Sequence, residues 1–288
     1  MKPITDKDMK QIFTLLSVCF VAISASAQQK AEIEVSYTEY QPNMRTGEKN
    51  GVTHQYILLA DGDDSKFFSP RTEYIDSLNS TPEGKAKYQE MTLSAYLGGK
   101  IDDIPRADGS YYVVKSGADN KFTYYDTAGT EKFCYEEDIP QLNWEVGDSS
   151  KTILGYDCFI ASVDYHGKKW IAWFTPEIPV VAGPWKLQGV PGLILEAATE
   201  DGLYSFVADG IQQTDKTITP IYLANGYEKS DRIKFLKAKR SFFDNPLGTI
   251  NAQFGGSGVS IISSGGNANG SDRLYVTRET ADFIETDY

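Results

Sequence analysis

The sequence predicts a mainly β protein, an antiparallel curved sheet or incomplete barrel with two packed helices. Three observations carry this expectation. Aromatic residues are abundant, with 18 Tyr and 14 Phe. Several short runs alternate apolar and polar residues at the two-residue period of a half-buried strand. Clusters of Gly, Asp and Asn separate those runs at hairpin spacing.

The elements follow in order. AEIEVSYTEY (31–40) sets Ile33, Val35 and Tyr37 on one side of a strand. HQYILLA (54–60) is a second strand, followed by the turn DGDDS (61–65). That turn offers oxygens suited to calcium but lacks the glycine and terminal glutamate spacing of an EF-hand, so it reads as an acidic surface turn. SYYVVKS (110–116) and KFTYYDT (121–127) flank GADN as a hairpin, and EKFCYEED (131–138) continues the pattern. Thr81 as N-cap, Pro82 at N1 and Glu83 in the first turn start one helix. Tyr88, Met91 and Ala95 share a face of it before Gly98-Gly99 stops it. A second helix covers 230–243, with Ile233, Leu236, Arg240 and Phe243 at helical spacing, and Asn245-Pro246 ends it. Its basic face reads as a solvated surface. Residues 251–271 are too rich in Gly and Ser to pack well, and Arg273 to Thr277 is one further strand.

The chain begins with a secretory signal. Lys10 and Gln11 lead into a short apolar core that ends in Ala25-Ser26-Ala27, with cleavage expected before Gln28. Met9 is an alternative start with a cleaner positive lead. The apolar run of about 17 residues is short for a membrane anchor. The expected organisation is a signal at 1–27, one β-rich domain at 28–247, and a Gly/Ser-rich segment and tail at 248–288. The location expected is the periplasm or beyond, peripheral to the outer membrane rather than integral. A net charge of −12 argues against nucleic acid as a partner.

After cleavage, Cys134 and Cys158 remain, and an oxidising compartment favours one disulfide between them, with two separate buried thiols as the alternative. A bridge closing about 25 residues between neighbouring strands is worth about 3–4 kcal/mol on the loop-entropy account. With only His54 and His166 as histidines, no metal site and no cofactor is expected.

The informative block runs from Lys151 to Glu196. Tyr156, Cys158 and Ile160 alternate with Asp157, Phe159 and Ala161, Asp164 to Lys168 turns, and KWIAWFT returns. Trp170, Ala172 and Phe174 share one face and Ile171 and Trp173 the other, so this pair is covered on both sides or lines a cavity. Thr175-Pro176-Glu177-Ile178-Pro179 then leaves in an extended path. Gly183-Pro184 turns and presents Trp185 and Lys186. Gly189, Pro191 and Gly192 make a tight return into LILEA, with Pro191-Gly192 suited to a type II turn.

The order KTILGYDCFIA, AWFTPEIP and GPWKLQGVPGLILE resembles the GLPGLI family of exported Bacteroidetes proteins. Its six-residue signature stands here as GVPGLI (189–194), with Val190 in place of the usual leucine. The resemblance implies an exported protein and transfers no established activity.

The residues themselves leave three functions open. The first is non-catalytic binding of an apolar or extended ligand, or of an envelope partner, through Trp185, Lys186, Pro191 and Trp173. Here Gly183, Pro184, Gly189 and Gly192 shape a rigid turn, though Trp185 serves equally well as a structural cap, and Trp170 and Trp173 suit the core. The second is a hydrolase of envelope or extracellular polymers, with Glu177 and Glu196 as acid and base. Lys186 beside Glu177 can equally be an ion pair holding the turn. His166, in the predicted turn, reads as exposed before it reads as a base, and neither GxSxG nor HExxH occurs. The third is a structural component of an outer-membrane assembly.

Overall fold

Among the described residues, twelve strands hydrogen-bond into one sheet that stays open at both edges. The structure is a computed structural model and describes residues 29–44, 48–244 and 282–288. The expected signal, the Gly/Ser-rich run and the strand at 273–277 lie outside those residues.

In chain order the strands are β1 (Ile33–Gln41), β2 (Val52–Asp61), β3 (Asp64–Phe68), β4 (Tyr112–Ser116), β5 (Lys121–Ala128) and β6 (Glu131–Asp138). They continue with β7 (Glu145–Ile153), β8 (Tyr156–Tyr165), β9 (Lys168–Thr175), β10 (Leu193–Thr199), β11 (Ser205–Gln213) and the short β12 (Glu228–Lys229). Helices α1 (Pro70–Asn79) and α2 (Pro82–Leu97) follow β3, and α3 (Arg232–Asp244) follows β12. The sheet order is β12-β6-β5-β4-β3-β2-β1-β11-β10-β9-β8-β7, antiparallel throughout except for the β12–β6 pair.

The predicted mainly β class with helices is therefore found, with three α-helices among the described residues rather than two. Helix α1 begins at Ser69-Pro70, a proline-at-N1 start. Helix α2 is capped as expected, the Gly84 N–H donating to Thr81 Oγ1 at 3.1 Å. Strand β3 emerges directly from the expected DGDDS turn, because Gly62 at φ 53° reverses the chain within two residues. Tight two-residue turns join β7 to β8 at Leu154-Gly155 and β8 to β9 at His166-Gly167, all four residues having positive φ. That handedness matches the twist of the paired strands.

Alternation decides what lies inside. In β1, Val35 and Tyr37 are buried in the main core, and in β5 and β6 Phe122, Tyr124, Phe133 and Tyr135 join them. Phe235 of α3 packs on the rings of Tyr124, Phe133 and Tyr135. The sheet is curled: Glu137 of β6 lies 3.6 Å from His166 of the β8–β9 turn, though eight strands stand between β6 and β8 in the sheet. A second, smaller cluster on the opposite face gathers Leu59, Phe68, Tyr112, Cys134, Ile221 and Tyr227.

The expected disulfide is not formed. Both cysteines are free and buried, and they belong to different clusters. Cys134 sits between Phe133 and Tyr135, which both face the main core, so the strand period turns its Sγ to the other face. Cys158 lies within the main core, so no local movement brings the two sulfurs together.

Residues 182–188 fill the inside of the curl, every one of them buried. Ile194 N–H bonds Ala182 O at 3.0 Å and Leu187 N–H bonds Pro184 O at 3.1 Å. Gly192 N–H closes onto Val190 O at 2.8 Å, a three-residue turn about Pro191 rather than the expected type II turn. Gly192 has φ 138°, and a Cβ there would meet Thr175 O at 2.0 Å. Only glycine lets β10 leave so close to the end of β9.

Two outcomes are expected. Gly192→Ala should lower stability by about 2 kcal/mol or more in urea unfolding, from the backbone clash and strained φ together. Alkylation of the denatured, unreduced chain should label Cys134 and Cys158 on separate peptides, whereas one peptide pair joined through both would contradict free thiols.

Candidate functional site

Lys186 is the centre of the interior. Its side chain is 0% exposed, and its Nζ donates to Glu285 Oε1 at 2.7 Å and to the Tyr135 hydroxyl at 2.9 Å. Glu137 Oε1 lies 2.5 Å away, and the Tyr124 and Tyr135 rings each sit 4.9 Å from the ammonium. Arg232 of α3 donates from Nη1 to Glu285 Oε2 at 2.8 Å, and from Nη1 and Nη2 to the two oxygens of Asp287 at 2.7 and 3.0 Å. His166 completes the group, with Nδ1 3.3 Å from Asp287 Oδ2.

Burial pushes the Glu285 carboxyl up, but Lys186, His166 and the hydrogen bonds from Lys186 and Arg232 outweigh it and hold the group down at about 2. Burial acts on Glu137 in the same sense, and His166 and Lys186 again bring it below the usual carboxylate range. These acids are ionised partners of fixed cations.

His166, Glu285 and Asp287 place ligand atoms within 4.8 Å of one another, the spacing a metal ion needs. Lys186 and Arg232 already occupy both oxygens of Glu285, and Arg232 both oxygens of Asp287. A divalent cation there would meet two fixed positive charges, so the donor set fits a salt-bridged centre better than a metal.

Beside this centre lies a cavity of about 220 Å³, lined among others by Glu39, Tyr56, Tyr111, Tyr124, Phe235 and Phe283. Glu39 is 1% exposed. Tyr111 donates its hydroxyl to Glu39 Oε1 at 3.0 Å, while Oε2 is buried without a hydrogen-bond partner among the described residues. Desolvation raises the Glu39 carboxyl to about 8, against the opposing pull of Tyr111 and Lys239. The Tyr56 hydroxyl, in the same wall, likewise makes no hydrogen bond of good geometry among the described residues. His54 stands at the rim, with Nδ1 2.7 Å from Asp108 Oδ1 and Nε2 2.7 Å from the Gln41 amide nitrogen.

Among the described residues Glu39 makes no direct ion pair, unlike the other inward acids, and feels Lys239 only at a distance. Asp126 receives Lys239 Nζ at 2.6 Å, and Glu137 faces Lys186. The basic residues of α3 divide: Lys234 and Lys237 are exposed, as a solvated face requires, and the others are partly buried. Lys239 and Arg232 reach inward, and Arg240 Nε bonds the Tyr288 hydroxyl at 2.9 Å.

The residues singled out in the sequence are redistributed. Trp185, expected on a presented turn, is 2% exposed and stacks on Trp170 at 5.4 Å, so it fills the core and lines no groove. Lys186 pairs with Glu137 and Glu285 rather than Glu177. His166 is not an exposed turn residue: its side chain is 9% exposed and its ring packs 4.0 Å from Tyr165. Glu177 is exposed and accepts the Asp157 N–H at 2.8 Å, while Glu196 accepts from Lys151 at 2.7 Å, so each carboxylate is committed elsewhere. Trp173 is half-buried with Lys151 Nζ 4.4 Å over its ring. Pro191 and Gly189 are exposed at the return, and Gly183 and Pro184 are buried.

Glu39, Glu137, Tyr56, Tyr111, Arg232 and Glu285 were not singled out. Two of them left a signal: Val35, Tyr37, Glu39 and Phe133, Tyr135, Glu137 are alternations in which the next inward position is acidic. An acid in register with an apolar face is a buried acid.

Residues 165–196 match a family model described as "Protein of unknown function (Porph_ging)". The match spans the end of β8, all of β9, the buried segment with Trp185 and Lys186, and the start of β10. No curated protein matches the chain. Among solved structures, two of PNGF-II, in the P21 and C2 space groups, are similar at 14% and 15% identity with TM-scores of 0.47 and 0.45. They cover 74% and 72% of this chain but 33% and 32% of their own, so the chain spans about a third of their length. Among the described residues no helix is long and apolar enough to cross a membrane.

The two buried carboxyls predict opposite pH windows. Glu285, depressed from 4.5 to about 2, contributes stability that is present above about pH 4.5 and lost as pH falls toward 2. Glu39, raised from 4.5 to about 8, opposes ionisation, so stability declines as pH rises from about 4.5 through 8. Urea midpoints across pH should show both limbs. Glu39→Gln should remove the alkaline decline, and Glu285→Gln should shrink the acid limb without abolishing it, since Glu137 and Asp287 are also held low. The expected loss at neutral pH is roughly 3–5 kcal/mol, because Lys186 is left with Glu137 as its acid.

Proposed function

We propose that the protein binds a small ligand, without chemistry, in the cavity between the inner face of the sheet and α3. The ligand would carry an apolar or aromatic body against Tyr124, Phe235 and Phe283, and a hydrogen-bonding group at Glu39. The observation that carries this reading is Glu39 Oε2, buried in a cavity wall without a partner among the described residues. An unmet polar atom at such a place is stabilised when a ligand supplies the missing hydrogen bond. With Glu39 held neutral, Oε2 can donate to a carbonyl or hydroxyl oxygen.

The ordered motif from Lys151 to Glu196 supports a GLPGLI-type protein, and the leader residues support export to the periplasm or beyond. Carboxylate catalysis is the weaker reading. Glu39 is raised as a general acid requires, but the nearby inward acid, Asp126, is tied to Lys239 and is not free to act as base or nucleophile.

Native mass spectrometry of the chain recovered from its own cells tests the binding reading, with Glu39→Leu beside wild type. A small retained mass in wild type, reduced at least tenfold in occupancy in the folded variant and declining above pH 8, is the expected result. Equal occupancy in the two proteins, or a bare wild-type chain, would exclude a ligand held at Glu39.

A further inference from the structure

Residues 282–288, DFIETDY, lie along the open side of the interior like a bound peptide. Phe283 and Glu285 are buried, Ile284 and Tyr288 pack partly against the core, and the exposed Asp287 reaches Arg232. Phe283 is buried against Phe243 at 5.4 Å, with the Arg240 guanidinium 4.1 Å over its ring. Glu285 enters the site made by Lys186, Arg232 and Tyr135, and Asp287 takes the outer side of Arg232 beside His166.

The backbone of the segment joins no strand of the sheet. It makes one backbone hydrogen bond among the described residues, Thr286 N–H to His166 O at 2.9 Å. The Tyr204 hydroxyl and Thr286 Oγ1 add bonds to Asp282 O and Gly167 O at 3.0 and 3.1 Å. Alternate side chains seated in separate sites are how an extended peptide is recognised.

Charge makes the receptor side specific. Without the segment, Lys186 and Arg232 face one inward carboxylate, Glu137, across a low-dielectric interior. A buried and a partly buried cation against one anion call for a further acid, and Glu285 and Asp287 supply it. The chain between Asp244 and Asp282 can extend on the order of 100 Å, ample for exchange between two molecules.

We propose that the Lys186–Arg232–His166 centre is a receptor for an acidic, aromatic peptide of the pattern Phe-x-Glu-x-Asp. It is filled here by the chain's own residues 282–288, and in trans it takes the same segment from a second copy. This site adjoins the Glu39 cavity and shares Phe283 and Glu285 with its lining.

The test uses the full chain carrying Phe283→Ala and Glu285→Gln, which disables its own segment, and a fluorescent synthetic DFIETDY peptide. Saturable binding by anisotropy is expected, at least tenfold tighter than to wild type and at least tenfold tighter than for a peptide carrying the same two changes. No binding to the folded variant, or equal binding of both peptides, would overturn the proposal. Should the double variant fail to fold, wild type with excess unlabelled peptide decides. Faster amide exchange across 282–288 with the native peptide, and not with the altered one, supports displacement in trans; unchanged exchange refutes it. Repeating the titration with Glu39→Leu added separates the two readings: unchanged peptide affinity shows that the peptide site stands without the Glu39 ligand, and lost affinity overturns a peptide site independent of it.

Discussion

Lys186 holds a full positive charge where no part of its side chain reaches water, and much of the interior is arranged around that fact. Isolating an ammonium in a protein interior is strongly unfavourable unless acids and hydrogen-bond acceptors surround it. Glu137 comes from β6, Tyr135 from the same strand, Glu285 from the 282–288 segment, and Arg232 from α3 ties Glu285 in turn. Four regions distant in sequence therefore meet at one charge. The curl of the sheet is coupled to the same contact, because Lys186 sits on the segment between β9 and β10 while Glu137 lies near the opposite edge.

The inward face of the sheet thus has two chemical halves. Along β9, β10 and β11 it is apolar and close-packed, with Trp170, Leu193, Leu195 and Phe206 buried. Along β1, β5 and β6 the same alternation ends in acids, Glu39, Asp126 and Glu137. Helix α3 and the buried segment answer two of these acids with Lys239 and Lys186 and leave Glu39 to Tyr111 alone. The polar end of the core is where the cavity lies, since charges and their hydration geometry pack less completely than interdigitated side chains.

The segment 183–197, GPWKLQGVPGLILEA, is the least ordinary stretch of the sequence, and its role follows from this division. It carries Trp185 onto Trp170 and Lys186 to the acids, two consecutive residues at the boundary between the halves. Trp185 takes φ 55°, a conformation unusual for a bulky side chain, and the Lys186 ammonium lies 5.4 Å from its ring. Its glycines are needed where backbones touch, as at Gly192 against Thr175 O.

The sequence by itself determined the β class, most strand positions, the capped helix after Thr81 and the basic helix before Asn245-Pro246. These follow from local periodicity and capping, which act between near neighbours. It did not reveal β7, whose EVGDSSKTI lies exposed at a sheet edge with little apolar alternation, nor β3, hidden behind an acidic turn, nor β11 and the two-residue β12. The tight turns, the motif and the separation of Cys134 from its flanking Phe133 and Tyr135 were all written in residue order. Whether Trp185 and Lys186 faced solvent, which acid paired with Lys186, and which acid was left without a cation were decided only by the tertiary structure. Each depends on how far an open sheet curls and on which segments enter the space it encloses, and burial and charge pairing of that kind are set by contacts between residues far apart in the chain.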